Sequence, residues 1–330
     1  MTATTTAKTT AKTTATTTAP TPDLAPPAPR TRADIAAIEY PTLALAALVY
    51  GGWLVMTYQY GAWPRWLVLP ALVVLLVLHG SLVHEILHGH PTRWDGLNRL
   101  LGLPPLELWL PYDRYRQTHL KHHNDARLTD PVDDPESFYW TPESWARMHG
   151  ATRVVLRIQQ TLAGRIVVGS VWTMLHFFHG ELRGIAAREP GYVRAWLLHL
   201  ALCVPVVLWV TLVCHMPFWV YLVAVVLPAN GLLLIRSFAE HRARPGVKQR
   251  IAIVERSWVF GPLFLFNNLH SLHHETPMVP WYDYNARYRL IRERLLRENG
   301  GLLYVTYFDV ARRFLFRPHD VLPHPTGRAP

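Results

Sequence analysis

Four long runs without a charged side chain constrain this chain most: Pro41 to Tyr60, Trp66 to Val83, Ala195 to Cys214, and Phe218 to about Ile235. Each is about twenty residues, enough to cross ~30 Å of hydrocarbon at 1.5 Å per residue. Within each pair the link is only a short turn, GAWPR or HMP, so the expected arrangement is two membrane hairpins. A soluble fold would have to bury all four runs, which needs an improbably large core in 330 residues. The two cysteines, Cys203 and Cys214, both lie in the third run, which excludes a disulfide framework or a thiolate cluster.

The remaining sequence sets orientation and boundaries. Apart from His215, the hairpin turns hold one basic residue, Arg65, whereas the stretches from Pro91 to Arg194 and after the fourth run are rich in arginine. The positive-inside rule then places the N-terminus, the middle segment and the C-terminus in the cytoplasm, as an even number of spans requires. Residues 1–36 are a Thr/Ala/Pro-rich tail with too little apolar surface to offset ordering, and 37–330 form the expected catalytic unit. Leu100 to Tyr112 is apolar but short and broken by prolines, and reads as interfacial or re-entrant, as does Ala151 to Gly180. Arg far outnumbers Lys, which suggests a GC-rich bacterial genome and hence the inner membrane. The formal charge of +10 belongs to a membrane face in this reading, and no nucleic-acid partner is expected.

Histidine is the chemical signal, with 18 in the chain. Three groups stand out: HEILHGH from His84 to His90, HLKHH from His119 to His123, and HSLHH from His270 to His274. Residues three and four apart share a helix face, so each group presents two or three imidazoles in one direction. At this histidine frequency an HxxHH is expected on the order of 0.05 times in such a length, and it occurs twice. Neutral imidazole is a common metal ligand that suits iron, copper, nickel and zinc. Two plus three plus three ligands exceed what one catalytic zinc takes, and fit two ions of four or five ligands each. The expected class is therefore a membrane-embedded dinuclear oxidase at the cytosolic interface.

His84xxxHis88, His119xxHis122His123 and His270xxHis273His274 on a two-hairpin scaffold resemble the integral-membrane fatty acid desaturase and hydroxylase superfamily. The continuations HHNDARLTDPVDDPES and HHETPMVPWYDY are similar to that family's as well. The resemblance implies an all-α integral membrane fold: four transmembrane helices in two hairpins with a cytosolic helical cap carrying a histidine-rich di-iron site. It adds His241, just past the fourth run, as a ninth ligand. Ser237 stands where acyl desaturases place an asparagine that holds a water, a departure from that family's pattern. Glu85, Asp130, Asp134, Glu240 and Glu275 lie beside ligands and are candidate acceptors for the second ring nitrogen. The alternative for Asp133, Asp134 and Glu136 is a solvated acidic turn, and Asn267 and Asn268 read as either a polar group at the site or a helix cap.

The implied reaction uses two ferrous ions and molecular oxygen to oxidise an unactivated C–H bond. It forms a double bond, or an alcohol in the hydroxylase variant. A fatty acyl chain, as thioester or lipid, is the default substrate. An amino-acid-derived natural product such as dihydrorhizobitoxine follows, then a carotenoid. Electrons are expected from an external ferredoxin or cytochrome, attracted by the basic face. HEILH also matches the HExxH zinc-protease pattern, but that reading leaves both HxxHH groups unexplained. A metal transporter would explain the histidines but lacks charged or broken helices along a path.

Overall fold

The computed structural model describes residues 38–325. The expected tail of residues 1–36 lies outside them. Four helices are long and apolar enough to cross a membrane: Tyr40–Gly61, Arg65–Leu87, Tyr192–Val213 and Phe218–Glu240. Most extend the apolar runs by about a turn or less and the fourth by five residues, because hydrogen bonding continues into the polar flanks. The fourth gains most, running on from Ile235 to Glu240.

The first hairpin is α1 (Tyr40–Tyr58, closed by a 3-10 turn to Gly61) and α2 (Arg65–Leu87). Then come α3 (Asp95–Gly102) and α4 (Tyr112–His122), and after an irregular segment α5 (Pro142–Arg147), α6 (Gly150–Gln159) and the long α7 (Leu162–Ala186). The second hairpin has α8 (Tyr192–Leu208), the short α9 (Phe218–Tyr221) and α10 (Leu227–Glu240). Each of its helices contains a π turn, Trp209–Val213 after α8 and Leu222–Val226 before α10. Pro228 lacks the N–H that would close an α turn onto Ala224, which accounts for the wider turn just before it. The cap is completed by α11 (Phe260–Leu263), α12 (His270–Glu275), α13 (Tyr284–Glu298), α14 (Tyr307–Phe314) and two short parallel strands, β1 (Ile253–Val254) and β2 (Leu303–Tyr304).

The spans pack through a core that includes Leu72, Leu76, Tyr221 and Val225, and α12 and α13 share a second core around Leu272, Tyr284 and Ile291. Leu100 to Tyr112 holds the end of α3 and a loop tucked against the spans. Its carbonyls are met by side chains reaching from the spans: Tyr50 to Leu101, His79 to Pro104, Tyr221 to Leu106 and His199 to Leu108. Irregular backbone at this depth needs such partners, because hydrocarbon offers none. His79 and His199 are thus structural donors.

The segment from Ala151 to Gly180 proves to be two helices, α6 and most of α7. α7 lies along α10, and a Cβ at Gly231 would stand 2.6 Å from the Ile166 carbonyl oxygen. Glycine is what permits that approach. Across from it, Arg114 on α4 makes a buried bidentate pair with Glu181 on α7 (2.7 and 2.8 Å), and Trp196 of α8 donates to the same carboxylate (2.9 Å). This contact fixes α4, and therefore the HLKHH group, against the spans.

Candidate metal centre

The chain brings all nine expected histidines to one place. Four elements supply them: the end of α2 (His84, His88), the end of α4 (His119, His122, His123), the residue that ends α10 (His241), and α12 (His270, His273, His274). They form two groups whose ligand atoms lie within 4.8 Å of one another, one of His84, His88, His119, His123 and His273, the other of His122, His241, His270 and His274. Each HxxHH is divided between them. The pair four apart stays together, as helix geometry demands, while His122 and His273 cross to the opposite group.

Ring orientation shows what such a cluster can hold. His122 Nδ1–H donates to Asp134 Oδ1 (2.8 Å), His270 Nδ1–H to Asn267 Oδ1 (3.0 Å), and His241 Nδ1–H to the Arg250 carbonyl (3.3 Å). In the neutral rings this leaves a bare lone pair on each Nε2. Those atoms face one another, at 3.1 Å between His122 and His241 and 2.9 Å between His241 and His270. The other group repeats the pattern. His119 Nδ1–H donates to Glu136 (2.8 Å), His273 Nδ1 meets the Tyr284 hydroxyl (2.9 Å), and Nε2 contacts of 3.0–3.1 Å join His88, His119, His123 and His273. Facing lone pairs repel, and a cation at their focus turns that repulsion into coordination. The donor set therefore fits two metal ions.

The electrostatics agree. Burial holds His88, His119, His123, His241, His270, His273 and His274 below the ordinary imidazole value, in the neutral form that ligates. His122 differs. Burial opposes its charge, but Glu136 and Asp134 outweigh burial and push it up to about 9, so the field here favours a positive charge.

Asp134, which the sequence left open between a ring partner and a solvated turn, is a ring partner, and Glu136, read only as part of that turn, is the correction. Asp134 and Glu136 hold His122 and His119, and Asp130 accepts the Val132 and Asp133 N–H groups that shape the turn (2.8 and 2.9 Å). Of the other carboxylates named from sequence, Glu240 lies 3.1 Å from His270 Nδ1 and 3.2 Å from Arg236. Glu85 instead accepts the Trp281 N–H (2.8 Å) and faces His90, and Glu275 turns outward to Arg294 (2.6 Å). Asn267 does not cap α12, whose N-cap is Leu269; its amide touches His270 with the oxygen and His84 with the nitrogen (3.4 Å), joining the two groups. Ser237 bonds back to the Leu234 carbonyl (3.3 Å). His90 stays out of both groups, its Nδ1 on Glu39 (2.8 Å).

A cavity of about 290 Å³ opens beside the group of four, with His241, Glu136 and Glu240 in its wall. Trp140, Trp172 and His176 form another part of that wall, His176 stacked on Trp172. Sequence reasoning missed Arg165, Gln159 and Arg236, which also line it. The available signal was Arg165 itself, the sole charge in the run from Leu162 to Leu175.

The family model described as fatty acid desaturase matches residues 61–308, well over half of the chain. Among curated proteins, nothing matches. Two histidine clusters, four apolar helices and this match agree: the chain belongs to the fatty acid desaturase family, membrane oxidoreductases of desaturase or hydroxylase type.

Proposed function

We propose that the protein is an oxygen-dependent di-iron desaturase that removes two vicinal hydrogens from an alkyl chain, with a fatty acyl or related carboxylic chain as the substrate class. The observation that carries this reading is the pair of imidazole clusters, of five and four, in which His119, His122, His241, His270 and His273 have Nδ1 tied outward. His84, His88, His119, His123 and His273 would hold one iron, and His122, His241, His270 and His274 the other. Irons so held supply the oxidation of an unactivated C–H bond by dioxygen.

The chain's own residues do the rest. Asp134, Glu136 and Asn267 fix ring orientation, so little reorganisation accompanies the reaction. His241 belongs to the cavity wall, so a chain entering the cavity approaches through the group of four, which has one imidazole fewer and more room for a further ligand. The overall balance is R–CH2–CH2–R′ + O2 + 2 e− + 2 H+ → R–CH=CH–R′ + 2 H2O. The electrons come from an external ferredoxin- or cytochrome-type donor, steered by the arginine-rich cap. Residues 37–330 are the catalytic unit, set in a bacterial inner membrane with the cap and both termini in the cytoplasm.

The test is metal content per polypeptide on detergent-purified protein, beside a His122→Ala/His273→Ala double variant that takes one ligand from each group. Two irons in the parent, lost in the variant, are expected, and an expressing strain should accumulate an unsaturated product. One zinc, retained in the variant, would overturn the reading. An alcohol in place of the alkene would reassign the protein as a hydroxylase.

A further inference from the structure

The cavity beside the histidine groups is mostly apolar, with a few buried polar side chains in its wall. Arg165, near the start of α7, is 3% exposed, and Gln159, at the end of α6, is 2% exposed. Arg165 Nε donates to the Gln159 carbonyl (3.0 Å), which ties the arginine side chain to the end of α6. Its Nη1 has no hydrogen-bond partner, and neither does Gln159 Nε2, although both atoms are buried.

The comparison with other arginines of the interior is informative. Arg114 is paired with Glu181, Arg236 with Glu240, and Arg250 gives its N–H groups to the carbonyls of Arg244 and Leu128. Among the described residues no carboxylate comes within ion-pairing distance of Arg165. Its guanidinium lies 3.6 Å from the Phe138 ring centroid and 5.7 Å from that of Phe238. Ring faces attract the charge but accept little from in-plane N–H groups. Burial accordingly pulls this guanidinium down to about 9. A buried cation left without an acceptor is costly, and the fork of an arginine matches a carboxylate.

Size narrows the ligand. A cavity near 150 Å³ accommodates benzene, so one of about 290 Å³ has room for about a dozen non-hydrogen atoms. That is the lower end of small-molecule sites. An ester or thioester carbonyl at Arg165 would leave its charge unmatched, and the phosphate-bearing part of a phospholipid or coenzyme A ester is larger than this cavity holds.

We propose that Arg165 and Gln159 anchor the free carboxylate of a short substrate, so that this desaturase acts on an unesterified acid of about a dozen heavy atoms. The proposal rests on the desaturase reading above and adds the class of its substrate. Arg165 binds the anion, and Gln159 Nε2 supplies a neutral donor beside it.

Octanoate and its neutral isostere octanamide are the probes, titrated calorimetrically into the full chain in lipid nanodiscs, with empty nanodiscs subtracted. The parent should bind octanoate ten- to a hundredfold more tightly than octanamide. Arg165→Met should abolish that preference, and Arg165→Lys should keep part of it. Gln159→Glu guards against misfolding: it keeps the volume and sets an internal carboxylate against Arg165. It should weaken octanoate at least tenfold and octanamide by less, so that the acid preference falls. Equal affinities in the parent, no binding of either probe, or an acid preference that survives both Arg165→Met and Gln159→Glu would overturn the proposal. Iron is counted on the same preparations, and binding is repeated after metal removal. Two irons without acid preference would sink the anchor alone, whereas acid preference without two irons would sink the di-iron reading alone.

Discussion

Asp134 offers the sharpest probe of how the two histidine groups are held. One carboxylate oxygen accepts His122 Nδ1–H (2.8 Å) and the Glu136 N–H (2.9 Å), and the other accepts the Thr129 N–H (2.8 Å). Asp134→Asn keeps the shape but leaves one oxygen for two sides. Placed toward His122, the amide sets its NH2 against the Thr129 N–H; flipped, it sets that NH2 against the imidazole N–H and loses two bonds. Either way the ring loses a charge-assisted acceptor or the turn that carries it. An interaction of this kind is worth about 1.4–2.8 kcal/mol, a 10- to 100-fold loss in metal affinity. Because His122 belongs to the group of four, the loss should fall on one metal only. Chelator competition on the iron-loaded protein checks this. Asp134→Asn should release one iron at chelator levels that leave two in the parent, whereas Glu136→Gln should shift the loss toward the group containing His119. Glu275→Gln is the control, since its carboxylate faces Arg294 at the surface. Simultaneous loss of both irons in Asp134→Asn, no loss at all, or an equal effect from Glu275→Gln would refute the division of the site.

Other expectations concern what holds the scaffold. Glu181→Leu strands the buried Arg114 guanidinium and should cost about 3–5 kcal/mol, read as a large drop in Tm, with Arg114→Met in the same chain restoring much of it. Tyr221→Phe removes the bond to the Leu106 carbonyl (2.7 Å) and the acceptor for Trp53 (2.8 Å), so about 1–3 kcal/mol should be lost in thermal unfolding. Gly231→Val pushes a side chain onto the Ile166 carbonyl and should cost about 1–3 kcal/mol, loosening α7 from α10 in hydrogen exchange. His319 is held at about 3 by burial and by Arg242, against the weaker pull of Asp320. Its folded value is below the unfolded one, so the contribution is full above about pH 6.5 and fades as pH falls. By pH 5 about 2 kcal/mol should be gone. Faster exchange of residues 319–325 at that pH, absent in His319→Phe, checks the sign.

Legibility in the sequence followed the range of the interaction. Spans announced themselves because burying a helix in lipid needs a local run of about twenty apolar residues. The histidine groups did so because i and i+4 share a helix face whatever the rest of the chain does. What lay beyond local spacing was hidden. HxxHH appears to present three ligands to one point, yet the structure sends His122 one way and His119 with His123 the other. That division depends on where α12 meets α4, a contact between residues some 150 apart for His123 and His273. Which of the nearby carboxylates hold the rings was hidden for the same reason. Glu275 is next to a ligand in sequence but points to α13, whereas Asp134 and Glu136 are 12 and 17 residues from the rings they hold.

Sequence neighbours of a metal ligand on a helix are carried around its axis, away from the ligand's own ring. For His119 and His122 the partner for the second nitrogen comes from the loop that the helix runs into, and for His273 from Tyr284 on α13. The turn from Asp130 to Glu136, shaped by the Asp130 carboxylate, is such a loop, and it binds both groups at once. Asn267 repeats the device from the other side, with one amide reaching His270 and His84. Each bond steadies one ring, so losing a single carboxylate falls on one group, whereas displacing a whole connector moves a ligand of each. The register of the two histidine groups thus depends on two short polar connectors outside the spans, and the spans serve to bring the connectors together.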